Sequence, residues 1–172
     1  ATTRHEIFYT FSYMESALID QAKSLAEGIF RDPVFEKHFF HNLRHTEDVV
    51  AAVKDIGMRS DLSDDEFELA LVAAWLHDLG YKYGADNHEE SSARVAEELL
   101  ERLSVPNKKI KIISSAILAT RLPQKPKTLI ERVLCDADLY HLSNKTFEEK
   151  SELLREEWKA TGLREMSDQD WV

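Results

Sequence analysis

One cysteine in 172 residues leaves no partner for an internal disulfide. Cys135 reads as a small buried hydrophobe, and a reducing compartment, the cytoplasm, is the expected setting. No apolar run approaches the roughly 20 residues that a membrane-spanning helix needs. No signal-peptide pattern opens the chain. Bases are outnumbered: 22 lysines and arginines stand against 32 acids, a formal charge of −10. A nucleic-acid polymer is gripped through a basic footprint, so the balance argues against that partner. A small phosphorylated molecule stays open, because a bound metal ion inverts the local field. Repeats, low-complexity tracts and linkers are absent, and no stretch reads as a strand. What remains is 43% hydrophobic and 31% charged, an ordinary globular composition. Residues 1–172 are long enough to bury a core as one domain.

Apolar residues recur at helical spacing, so the expected fold is all-α, with about seven helices. Residues 1–12 lack a period and read as an N-terminal arm whose Phe8, Tyr9 and Phe11 adhere to the body. A first helix is expected from Tyr13 to Arg31, with Leu18, Ala22, Leu25 and Ile29 on its stripe and Asp32-Pro33 as its stop. A second runs from Leu43 to Ile56, with Gly57 as a left-handed C-cap. Ser63-Asp64-Asp65-Glu66 has capping-box spacing and opens a third helix. That helix is apolar on every side from Phe67 to Leu76, which places it at the centre. A fourth is expected from His88 to Leu103, a fifth with Pro106 in its first turn and its end at Thr120, and a sixth from Leu129 to Leu139. Thr146-Phe147-Glu148-Glu149 is another capping-box pattern, for a seventh helix closed by Thr161-Gly162. Ser167-Asp168-Gln169-Asp170 reads as one more helix start, so a longer parent chain is expected.

Histidines and carboxylates gather at three places. Trp75-Leu76-His77-Asp78-Leu79-Gly80 closes the apolar helix, His41-Asn42-Leu43-Arg44-His45 lies upstream and Cys135-Asp136-Ala137-Asp138 downstream. Successive helical residues point about 100° apart, so His77 and Asp78 share a target only where the helix end bends. Gly80 is placed to permit that bend. His41 and His45 share one face if the helical turn extends that far. One of them would bind metal and the other hand a proton to a leaving group. Imidazole with carboxylate suits a divalent ion, with Mn, Fe, Co, Ni, Zn and Mg all open. Asp138 completes the set, and Asp136 is expected to support it or to act as a capping carboxylate. His88, Glu89 and Ser91 open a helix whose N-terminal amides favour anions, so they border an expected phosphate pocket. Lys82 and Arg121 are candidate phosphate contacts by charge. Trp75, Phe39 and Phe40 are assigned to the core, His38 and His141 to surface or packing.

His45, His77-Asp78 and Asp138, in this order, resemble the H…HD…D signature of the HD-domain metal-dependent phosphohydrolases. His41 to Val49 is similar to the matching stretch of the related cyclic-nucleotide phosphodiesterases, and Ala137-Asp138-Leu139 to their ADL segment. The chain also resembles small predicted HD phosphohydrolases through Trp75 to Asp78, Asn87 to Ala93, Thr120 and Asp136 to Leu139. The likeness runs from about Phe39 to Trp158. It implies a compact HD-type helical bundle and one or two divalent ions held by His45, His77, Asp78 and Asp138. It also implies His41 as the general acid and Asp78 as part of the reacting centre. Two departures stand out. Relatives often carry a His soon after the Thr, where this chain has Arg121-Leu122-Pro123. Gly80-Tyr81-Lys82 replaces a direct Gly-Lys.

The expected activity is hydrolysis of a phosphoester or phosphoanhydride in a small substrate, a nucleotide first, by water activated on the ion. A nucleotide-sensing module that turns over poorly is the alternative, favoured by the His missing after Thr120. A di-iron oxygenase would need His88 and His41 as extra ligands. A purely structural helical protein leaves the ordered ligand set unexplained.

Overall fold

In a computed structural model, which describes residues 16–143, 145–165, 167 and 171, the apolar helix Asp64–Leu76 buries Phe67 and every side chain from Leu69 to Leu76. Ser63 and Glu66 form the capping box that starts it. The seven α-helices among the described residues are α1 (Ala17–Ile29), α2 (Leu43–Met58), α3 (Asp64–Leu76), α4 (His88–Arg102), α5 (Asn107–Ala119), α6 (Leu129–Asp138) and α7 (Phe147–Thr161). Three 3₁₀ turns, Pro33–Lys37, Leu79–Tyr83 and Tyr140–Ser143, join them, and no strand occurs among the described residues. The all-α expectation holds. α3 is the hub, packed against α1, α2, α4, α5 and α6. None of these helices is long and apolar enough to cross a membrane.

Several local expectations are corrected. Gly57 lies inside α2, which runs on to Met58 and is capped by Arg59 in a right-handed conformation. A Cβ at Gly57 would meet the Phe67 ring at 2.5 Å, so this glycine serves the close approach of α3 to α2. Pro106 precedes α5 as its N-cap residue. Thr146 takes φ −90° and ψ 4° and does not form the expected box, although Gly162 does close α7 at φ +70°. Phe39 is 40% exposed, while Phe40 and Trp75 are core. The N-terminal arm at residues 1–12 and most of the helix start at 167–170 lie outside the described residues.

α7 differs from the other helices in what holds it. Its main contacts are with the turns Pro33–Lys37 and Tyr140–Ser143. Its buried residues are Lys150, paired with Asp48, and Glu157.

Candidate metal centre

Asn42 sets the first side of the centre. Its backbone is extended (φ −142°, ψ −177°), and its side chain accepts the His45 N–H at 3.2 Å. Its amide donates to the His38 and Phe39 carbonyls at 3.0 and 2.9 Å, which ties the preceding loop to the helix start. This cap begins α2 at Leu43, so His41 lies outside the helix and not on a shared i, i+4 face. His45, in the first turn, is buried.

The end of α3 delivers the next two donors. His77 keeps helical dihedrals (φ −64°, ψ −32°), whereas Asp78 departs to φ −107° and ψ 4°. The bend therefore falls at Asp78 itself, and Gly80 has another purpose. A Cβ at Gly80 would stand 2.0 Å from the His88 carbonyl oxygen. The glycine lets α4 press its first turn against the segment that carries Asp78. His77 Nδ1 donates to the Ala74 carbonyl at 2.8 Å, which leaves Nε2 as an acceptor.

Asp138, the last residue of α6, closes the set. His45 Nε2 lies 3.2 Å from Asp138 Oδ1 and 3.5 Å from Asp78 Oδ2. His77 Nε2 lies 3.2 Å from Asp78 Oδ2 and 3.5 Å from Asp138 Oδ1. One donor atom from each of His45, His77 and Asp138 falls within 4.8 Å of the others, a cluster positioned for a metal ion. His77 Nε2 and Asp78 Oδ2 are buried without a hydrogen bond. Buried polar atoms are otherwise nearly always paired, so these residues fit a cation between them. Burial opposes charge on His77, but the Asp78 carboxylate raises it well above its ordinary value, so an arriving cation would displace a proton from Nε2 before taking its lone pair. Burial likewise opposes ionisation of Asp78 and Asp138, yet His77 and His45 pull both carboxyls below their usual range.

His41 reaches the centre from the loop because Glu157 of α7 holds it. The Glu157 carboxylate accepts the backbone N–H groups of Phe40 and His41, each at 2.8 Å, and bonds His41 Nδ1 at 2.5 Å. Burial pushes His41 down, but the Glu157 hydrogen bond and the charges of Asp78 and Asp138 leave it raised overall. His38 is buried beside the same carboxylate, 3.4 Å away. On the other side, Tyr81 stacks with both His41 and His88, each ring centroid 4.0 Å from its own. Glu157 and Tyr81 are absent from the sequence-derived site.

The remaining candidates separate. His88 Nε2 faces Asp78 Oδ1 at 3.8 Å and Glu89 Oε1 at 3.6 Å. Its Nδ1 donates to the Ala85 carbonyl at 3.0 Å. Glu89 is buried. Arg121 pairs with Glu90 and reaches Glu89 Oε2 at 3.5 Å. Lys82 pairs with Asp32 at 3.1 Å and meets none of the four donors. Asp136 is exposed and bonds no donor residue, which removes it as their support. Cys135 is buried, donates to the Ala119 carbonyl and has its thiol pushed up to about 12 by burial, so it packs and does not react.

A family model described as HD domain matches residues 42–143. That span holds His45, His77, Asp78 and Asp138, while His41 and Glu157 fall outside it. Neither the curated proteins nor the solved structures yield a match.

Proposed function

The chain belongs to the HD domain family, and from that premise we propose a metal-dependent phosphohydrolase acting on a small phosphorylated substrate, with nucleotides the first class to test. The observation that carries the reading is the pair of orphaned atoms, His77 Nε2 and Asp78 Oδ2, set against His45 Nε2 and Asp138 Oδ1. Each buried polar atom left unpaired costs about 1–3 kcal/mol, and one divalent ion would satisfy them together. His45, His77, Asp78 and Asp138 would hold it. Such an ion supplies a water of lowered pKa and offsets charge on a phosphoryl oxygen.

The chain's own residues do the rest. The Ala74 carbonyl fixes the His77 tautomer, so its lone pair faces the centre. Glu157 orients His41 through Nδ1 and favours its charged form, so His41 holds the proton that the leaving oxygen needs. Asp78 presents its second oxygen to His88, whose Nε2 also faces Glu89, and these three residues are the set that a second ion would use. A single domain and a cytoplasmic setting belong to the same reading.

Elemental analysis of protein purified without chelator tests it. Near-stoichiometric Mn, Fe, Co, Ni or Zn is expected, lost in Asp138→Ala and in His77→Ala while helical content is kept. Absence of metal after incubation with each ion, or full phosphoester hydrolysis by Asp138→Ala, would sink the proposal. Tight nucleotide binding without product would shift it to a sensing module, and iron-dependent oxygen uptake to an oxygenase.

A further inference from the structure

We infer that Tyr81 is a further catalytic residue of this centre, its hydroxyl passing the proton from His41 to the leaving oxygen. The inference rests on the phosphohydrolase reading and adds a residue to it. His41 has two ring nitrogens. Nδ1 is committed to Glu157 at 2.5 Å, and Nε2 lies 3.0 Å from the Tyr81 hydroxyl. A proton on Nε2 therefore has the phenol oxygen as its hydrogen-bond partner. A phenol hydroxyl donates one hydrogen bond while it accepts another, which is what a group between an imidazolium and a departing oxygen must do.

The ring is placed for this and held there. Tyr81 sits in the turn Leu79–Tyr83, its N–H bonded to the Asp78 carbonyl at 3.1 Å, so its position is tied to a proposed ligand. His41 and His88 both stack with it, at interplanar angles of 20° and 25°, and His38 meets it at 67°. A phenol keeps its proton at neutral pH and so has one to donate.

The protons balance. The oxygen of a water that has released one proton to solvent bonds to phosphorus and keeps its other proton on the phosphate product, and the bond from phosphorus to the leaving oxygen breaks with its electron pair on that oxygen. The leaving oxygen takes the Tyr81 proton, and the Tyr81 oxygen takes the proton of His41 Nε2. Tyrosine ends as it began, His41 ends neutral and Glu157 remains a carboxylate.

The test compares wild type with Tyr81→Phe, which keeps the stacked ring and removes only the hydroxyl. Both are assayed on phosphate monoesters and diesters of p-nitrophenol, which departs without a proton, and of simple alcohols, which do not. The expected kcat loss is about 10²- to 10⁴-fold on the alkyl esters and under roughly tenfold on the nitrophenyl esters, with metal content unchanged. Equal losses on both, or none on either, would reduce Tyr81 to packing and leave the phosphohydrolase reading standing. A wild type that cleaves neither ester class overturns that reading and the inference with it. Nitrogen NMR on metal-free protein supplies an independent readout. Tyr81→Phe should move the His41 Nε2 resonance far more than Nδ1, and an unmoved Nε2 would show that the hydrogen bond is absent.

Discussion

At Gly80 a single methyl group decides how closely α4 can approach the centre. A Cβ there would lie 2.0 Å from the His88 carbonyl oxygen, 2.6 Å from the Ser92 nitrogen and 2.8 Å from Ser92 Oγ. The two shortest contacts are backbone, so no rotamer change relieves them. α4 would have to back away from the turn that carries Asp78 and Tyr81. Gly80→Ala is therefore expected to cost about 1–3 kcal/mol or more, read as a lower urea midpoint, and to weaken metal retention. Gly28 in α1 is the control, since a Cβ there meets nothing within 4 Å. Alanine at that helical position should raise stability by about 0.5–1 kcal/mol. Opposite signs from the same chemical change would isolate close approach from any general glycine effect. Spacing along the chain shows that a glycine follows the His-Asp pair, but not which backbone comes to rest against it.

At the scale of elements, α7 is legible as a helix and opaque as a part of the site. Its closing Gly162 is visible in the sequence, as are the ends of α3 and α6 that carry His77, Asp78 and Asp138. The HD pattern makes those proposed ligand positions readable because each sits beside a helix terminus with its own local signal. Lys150 and Glu157 lie seven residues apart, on one face, and both are buried. Charged side chains in a run such as Glu148 to Trp158 ordinarily read as a solvated surface. The His41 N–H groups that justify Glu157 are 116 positions away, so no local window contains the reason for its burial. Glu157→Ala would leave two backbone N–H groups and an imidazole without their acceptor, at a cost on the order of 3 kcal/mol. Glu157→Gln keeps an acceptor oxygen and should cost less. Thermal or urea unfolding of the two variants distinguishes them, and small, equal losses would mean that α7 is anchored elsewhere.

For the molecule as a whole, the same carboxylate predicts how the fold responds to acid. Burial works against charge on Glu157, but His38 beside it and the hydrogen bonds from His41 outweigh it and hold it at about 2, against an ordinary 4.5. A carboxyl lowered in the folded state adds stability that is complete above about 4.5 and is lost as pH falls from there toward 2. Each tenfold change in proton affinity is worth about 1.4 kcal/mol, so that window amounts to ~3 kcal/mol. Asp78 and Asp138 are also below their usual range, so in metal-free protein they steepen the same acid limb. Unfolding free energy measured from pH 7 to pH 3 should therefore fall more steeply in wild type than in Glu157→Gln, which has nothing to titrate there. Parallel curves would assign the acid sensitivity to other carboxylates. Repeating the series with saturating metal separates the contributions further. An ion on the four donors competes with protons for Asp78 and Asp138 and flattens their part of the limb, whereas Glu157, which bonds none of those donors, keeps its own.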